Sequence, residues 1–265
     1  MNRTVPKSLP NFRDFGGLPC EDGRVIRPGK LYRTPALRPK GLSRRERAKT
    51  LAFIDALKLD TVLDFRSRAE YTEKPDYCPP GVRHLEVPFF ADGQVDRIIV
   101  TRRSVARMLT LRGNRIPLLV EEKWESYRVM PFSNGKVALT ALFEAMDRGD
   151  TIAFHCTEGK DRTGFAAYVL ERCLGRSDEA ARVEYLKSNG PMEQQIALQE
   201  RFFRLIRMPK ELMEAMNYVE HCHEELLDLS LAAIHEKYDS LEAYLEAEFG
   251  VTGARMEKWR NDYCE

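Results

Sequence analysis

Thr151-Ile152-Ala153-Phe154-His155-Cys156-Thr157-Glu158-Gly159-Lys160-Asp161-Arg162-Thr163-Gly164 decides how the rest of the chain is read. The first five residues are β-formers or apolar, and Gly149-Asp150 precede them, so they read as a short buried strand. A polar turn with one glycine follows. Phe165-Ala166-Ala167-Tyr168-Val169-Leu170 then reads as part of a buried helix. Cys156 therefore falls where a strand ends, and Arg162 and Thr163 fall where a helix opens.

That placement has a chemical consequence. The first N–H groups of a helix lack intrahelical partners, and with the helix dipole they attract an anion. A loop wrapped ahead of the helix turns further N–H groups inward as a nest. The spacing from Cys156 to Arg162 suits a loop around one tetrahedral phosphate, with contacts from Thr157, Glu158, Gly159, Lys160, Asp161 and Arg162. Arg162 can hold two phosphate oxygens in a bidentate fork. The same field favours thiolate over thiol, and cysteines in such places ionise at roughly 3.5 to 7.5. A thiolate beneath a bound phosphate is an in-line nucleophile. A Walker-type loop fits poorly, because Asp161 follows Gly159-Lys160 and Phe154 stands at the first glycine position.

The string His-Cys-x-x-Gly-Lys-Asp-Arg-Thr-Gly resembles the signature of the atypical bacterial protein tyrosine phosphatases, within the cysteine-dependent phosphatase superfamily. Asn11-Phe12-Arg13-Asp14-Phe15-Gly16-Gly17 is similar to the N-terminal motif of that group. Leu63-Asp64-Phe65-Arg66-Ser67 with Glu70 is similar to its strand-end motif, and Tyr238 to Leu245 with Gly250 resembles its C-terminal helix. The resemblance implies hydrolysis of phosphotyrosine in proteins, with phosphoserine, phosphothreonine or phosphoinositides as further substrates of some members. It also implies a phosphatase-like α/β fold with an extra helical lid.

The mechanism expected has Cys156 attacking phosphorus to form a phosphocysteine that water then hydrolyses. The loop amides and Arg162 stabilise the equatorial oxygens. His155 orients the loop and thiolate, and Thr163 donates its hydroxyl to the sulfur. Neither Trp124 nor Trp259 begins a Trp-Pro-Asp acid loop. Asp161 is then the candidate general acid, with Asp64 or Asp14 as runner-up. The alternative for Asp161 is a loop-bracing acceptor. Lys160 adds charge at the rim, which resembles loops acting on phosphoinositides. No metal or cofactor is expected, because helix terminus and arginine supply the positive field. Two other readings stay open: a phosphate-recognition module without turnover, and sulfur transfer through a persulfide.

Lys plus Arg number 42 and Asp plus Glu 41, so no bulk charge draws the 265-residue chain to nucleic acid. No run of eighteen apolar residues predicts a transmembrane segment, and Met1 to Pro10 has no signal-peptide core. The six cysteines show no metal or disulfide spacing, so a cytoplasmic, reducing location is expected.

Along the chain, Lys30–Thr34, Asp60–Phe65 and Val82–Phe89 read as strands, and Ser43 to Glu46 as a capping box opening a helix to about Lys58. Asp64 and Arg66 end a strand, where functional residues of parallel sheets gather. Arg13, Asp14 and Arg66 form a candidate second tier near the loop. Residues 97–120 carry six arginines and no acidic residue, interleaved with apolar positions. They read as a basic amphipathic helix, a solvated face or else a cover over an anionic site, within a possible lid insertion at 92–131. Lys136–Arg148 reads as a helix, the helix capped by Ser177 as ending at Asn189-Gly190, and 191–265 as helical throughout. The fold expected is α/β: one phosphatase domain over 1–265, with a central mostly parallel sheet flanked by helices.

Overall fold

The computed structural model describes residues 4–39, 43–91 and 117–265. Five strands form one sheet: β1 (Arg13–Asp14), β2 (Leu31–Thr34), β3 (Thr61–Asp64), β4 (Arg83–Glu86) and β5 (Ile152–His155). Their order is β1-β2-β5-β3-β4, and every pairing except β1 with β2 is parallel. The α/β architecture with a mostly parallel sheet is thus present. β5 is central, with Phe154 opposite Arg33 on β2 and Leu63 on β3.

Alternation along the strands separates two cores. Leu31, Leu63, Ile152 and Phe154 point to the larger one, while Tyr32, Val62 and Ala153 point to the smaller. The smaller core is closed by α1 (Arg44–Asp55) through Phe53 and Ile54. Ser43 and Glu46 make the expected reciprocal capping box at its start. The helix ends three residues before Lys58, which lies at φ 55°.

The remaining helices are α2 (Arg68–Glu73), α3 (Pro117–Val129), α4 (Asn134–Asp147), α5 (Asp161–Cys173), α6 (Asp178–Leu186), α7 (Asn189–Leu205), α8 (Lys210–Glu220), α9 (Glu224–His235), α10 (Leu241–Phe249) and α11 (Gly253–Tyr263). Helices α3 to α6 and α9 to α11 supply residues to the larger core, while Leu119, Phe203, Leu212 and Met216 form a third cluster. Asn189-Gly190, expected to end α6, instead opens α7; Asn189 Nδ2 donates to the Cys222 carbonyl and its Oδ1 accepts from Cys222 N–H. Most of the basic stretch 97–120, and residues 92–116 of the lid expectation, lie outside the described residues. The rest of that segment is α3, which packs on α8 and α9. Trp124 Nε1 donates to the Tyr218 hydroxyl at 2.8 Å, and Ser230 Oγ donates to the Tyr127 carbonyl at 2.6 Å.

Candidate active site

Cys156 follows β5 directly, and Asp161 is the first residue of α5. Between them the chain must curl, and Gly159 makes this possible at φ 68°. A Cβ there would lie 2.4 Å from the Thr34 carbonyl oxygen, so no larger residue fits.

The loop carbonyls are tied on the outside, one after another. Cys156 O lies 3.0 Å from His155 Nδ1, and Thr157 O accepts from Ala36 N–H at 3.1 Å. Asn11 Nδ2 donates to Glu158 O and Gly159 O, both at 2.9 Å. Arg33 donates from Nε to Gly159 O at 2.9 Å and from Nη2 to Lys160 O at 3.0 Å. In a trans peptide the N–H points opposite to the carbonyl. The amides of residues 157 to 161 are therefore turned towards the inside of the loop. No side chain caps the N-terminus of α5. An uncapped helix start behind a ring of inward amides is an anion site.

Arg162 closes the ring. Its Nη1 and Nη2 donate to the two oxygens of Glu70 at 2.7 and 2.9 Å, and Nη1 also reaches the Phe65 carbonyl at 3.3 Å. Glu70 is itself fixed by the capping box of α2, where Ser67 N–H donates to Oε2 at 2.9 Å, and Thr157 Oγ1 donates to Oε1. Burial would raise the Glu70 carboxyl, but Arg162 and these donors outweigh it and hold it at about 2. The guanidinium plane is thus set before any ligand arrives.

The Cys156 thiol is buried on the floor of a pocket lined also by Thr157, Lys160, Asp161 and Arg162. Burial alone would raise it. The Arg162 charge and the Thr163 hydroxyl reverse that and bring it below the ordinary thiol range. Thr163 Oγ1 is buried without a hydrogen bond of ordinary geometry, which leaves its proton for the sulfur. Phe90, Met130 and Val219 form apolar walls above this polar floor.

Asp161 lines the pocket, but its carboxyl is engaged by α3. Lys123 Nζ lies 2.7 Å from Oδ1, and the Tyr127 hydroxyl donates to the same oxygen at 2.7 Å. Burial opposes ionisation there, yet Lys123 and Lys160 prevail and hold the carboxyl far below the usual range. In this arrangement Asp161 Oδ1 is an acceptor for Lys123 and Tyr127, the geometry of the bracing alternative. Lys160 is not a free charge at the rim. Its ammonium is buried against the last turn of α8, 3.4 Å from the Val219 carbonyl and 2.5 Å from that of Glu220.

Asp64 does not line the pocket. It is fully buried and gripped by Arg66 at 2.6 Å, and Arg66 reaches Asp76 at the same distance. His155 Nε2 lies 3.1 Å from Asp76. Burial would lower His155, but Asp76 and Asp64 raise it to about 9. Asp64, Asp76, His84 and His155 bring possible ligand atoms within 4.8 Å of one another. Arg66 and the His155 imidazolium already balance those two carboxylates, so the group is an ion-pair network behind the loop. Arg66, buried in it, is not open to substrate.

The remaining second-tier residues also stay out of the pocket. Arg13 braces Asn11 at 2.5 Å and Glu184 at 2.6 Å. Asp14 is exposed and accepts from Gly16 and Gly29 N–H, holding a turn. Asn11 and Glu70 lie inside the N-terminal and strand-end motifs, which by themselves assign them no role. Arg33 read only as part of a strand. Asp76, Lys123 and Glu220 gave no local signal, since their partners lie far along the chain.

A mostly parallel sheet whose central strand runs into a cysteine-centred anion loop defines a class of phosphate-ester enzymes. The chain belongs to the tyrosine phosphatase family, whose model matches residues 5–265. It is 31% identical over 254 residues to a Cupriavidus necator protein that bears a tyrosine-protein phosphatase name, covering 94% of this chain and 85% of that one. It is 26% identical over 275 residues to the Mycobacterium tuberculosis triple specificity protein phosphatase PtpB, covering 94% and 95%. The solved structure of P. aeruginosa TpbA aligns with 80% of this chain and 90% of its own at a TM-score of 0.32 and 18% identity. The protein is a hydrolase of the protein-tyrosine-phosphatase type. Among the described residues, no helix is long and apolar enough to cross a membrane.

Proposed function

We propose that the protein hydrolyses phosphotyrosine in proteins through a covalent phosphocysteine at Cys156, from a single phosphatase domain. One observation carries this reading: the Cys156 thiol lies under a loop whose carbonyls all face outward, with the Arg162 fork pre-set by Glu70. In the first step the sulfur–phosphorus bond forms and the ester P–O bond breaks. The inward amides and Arg162 hold the three equatorial oxygens as charge shifts. Water then attacks the phosphocysteine, and the Thr163 hydroxyl eases departure of the sulfur. The chemistry requires a reduced thiol, which the cytoplasm maintains.

The apolar walls from Phe90, Met130 and Val219 suit an aryl ring above the phosphate. They favour phosphotyrosine over the shorter phosphoserine and phosphothreonine, which would leave these walls without contact. PtpB is named for triple specificity; activity on the shorter residues is a secondary expectation here. The phosphoinositide alternative rests on the family resemblance and on the Lys160 charge, whose ammonium lies 3.4 Å from the Val219 carbonyl and 2.5 Å from that of Glu220; the phosphoinositide arm of the panel tests it.

The test is metal-free hydrolysis of para-nitrophenyl phosphate and of a phosphotyrosine, phosphoserine and phosphoinositide panel. Turnover with phosphotyrosine preferred, lost in Cys156→Ser while inorganic phosphate still binds, is the expected result. Near-normal turnover in Cys156→Ser contradicts the reading, and binding without turnover in the parent returns it to a recognition module.

A further inference from the structure

The leaving oxygen needs a proton, and four carboxyl groups line the pocket: Glu70, Glu158, Asp161 and Glu220. Glu70 has both oxygens on Arg162 and is held at about 2. Asp161 is fixed as a carboxylate by Lys123 and Tyr127. The choice falls between Glu158 and Glu220. The Glu158 side chain is 28% exposed against 11% for Glu220, so desolvation favours the proton on Glu220.

Glu220 is also well placed. It is the last residue of α8, and its own carbonyl accepts from Lys160 Nζ at 2.5 Å. Lys160 belongs to the phosphate loop, so the loop itself fixes where Glu220 stands. The Glu220 carboxyl makes no hydrogen bond among the described residues, and its Oε2 lies 3.9 Å from Lys160 Nζ. We propose that Glu220 is the acid that protonates the leaving oxygen, tethered to the phosphate loop by Lys160. The proposal rests on the phosphocysteine reading above.

Its surroundings favour that form. Burial raises the Glu220 carboxyl first, and the Glu158 and Asp161 charges add to it, against Lys160 and Lys123. In the first step Sγ bonds phosphorus, the ester P–O bond breaks, and its oxygen takes the Glu220 proton. In the second step the Glu220 carboxylate takes a proton from the water that attacks the phosphocysteine. The cycle ends with phosphate, free thiolate and a protonated Glu220.

The test compares Glu220→Gln and Asp161→Asn on two leaving groups. Phenyl phosphate needs its oxygen protonated, and para-nitrophenyl phosphate releases a stable anion. General acid catalysis contributes about 10²–10⁴-fold, so Glu220→Gln is expected to lose roughly 100-fold or more on phenyl phosphate and under about 10-fold on para-nitrophenyl phosphate. The basic limb of its pH profile should vanish, with inorganic phosphate affinity kept. Asp161→Asn should slow both substrates alike. Equal losses in Glu220→Gln, or a leaving-group-dependent loss in Asp161→Asn, overturn the assignment. If glutamine at 220 prevents folding, Glu220→Asp decides: it keeps an acid but shortens it, so phenyl phosphate alone should slow, and no difference between substrates contradicts the proposal. Cys156→Ser separates the two levels, since retained turnover there sinks the phosphocysteine reading itself, whereas a dead Cys156→Ser with uniform Glu220 effects sinks only the acid.

Discussion

The Cys156 thiol feels two opposed influences, and their balance sets its reactivity. Burial disfavours the thiolate, while Arg162 and Thr163 favour it and win. A lowered thiol ionises at lower pH, so alkylation by iodoacetamide should rise with pH through a midpoint below about 8.5, the ordinary cysteine value. Thr163→Val keeps the shape and removes the hydroxyl, so that midpoint should move up in the variant. An unchanged midpoint would take Thr163 out of thiolate stabilisation. Arg162→Lys should be impaired far more than a lost charge explains. A lysine cannot span both Glu70 oxygens and present a planar fork to phosphate. A modest change in kcat/KM, under about tenfold (about 1.4 kcal/mol), would show that the fork does not matter.

At the scale of elements, α3 and α8 complete a site that the sheet and α5 begin. Lys123 on α3 is almost fully buried beside Asp161, and breaking a buried pair leaves an unpaired charge. Lys123→Met should destabilise the fold by about 3 kcal/mol in denaturant unfolding. Lys123→Met combined with Asp161→Asn should recover most of that loss. If the double variant is as unstable as the sum of the singles, the two groups are not coupled. This part of the site was least legible in the sequence. Periodicity located β2, β3, β5, α1 and the start of α5, because strands and capped helices write local patterns. The loop was legible because one contiguous string holds Cys156, Asp161, Arg162 and Thr163. Glu70 lies 92 residues from Arg162 and Lys123 lies in a helix that carries no motif, and pairings at such range follow from packing alone. Asp64 and Arg66 misled for a related reason. A strand end places a residue at the correct edge of the sheet, but does not say whether its side chain turns to the pocket or to the ion pairs behind it.

For the whole molecule, the ion-pair network behind the loop ties stability to pH. His155 titrates at about 9 in the fold, raised by Asp76 and Asp64 against burial, and near 6.5 when unfolded. A raised folded value means the stabilisation is complete below pH 6.5 and is lost as pH rises through 9. Linkage puts its size at about 3 kcal/mol. The unfolding free energy should therefore fall over that window in the parent, and much less in His155→Gln. A parent profile that rises from pH 6.5 to 9 would contradict a charged His155. The same network holds the strand end from which Cys156 emerges, so fold and chemistry share one set of contacts. The most direct measurement of the central claim is to quench the enzyme in acid during turnover of para-nitrophenyl phosphate and map the phosphorylated peptide by mass spectrometry. One phosphoryl group on Cys156, absent in Cys156→Ser and never on another residue, is the predicted result. A turning-over enzyme with phosphate on a different side chain, or with none on Cys156 while product still appears in a burst, would contradict it.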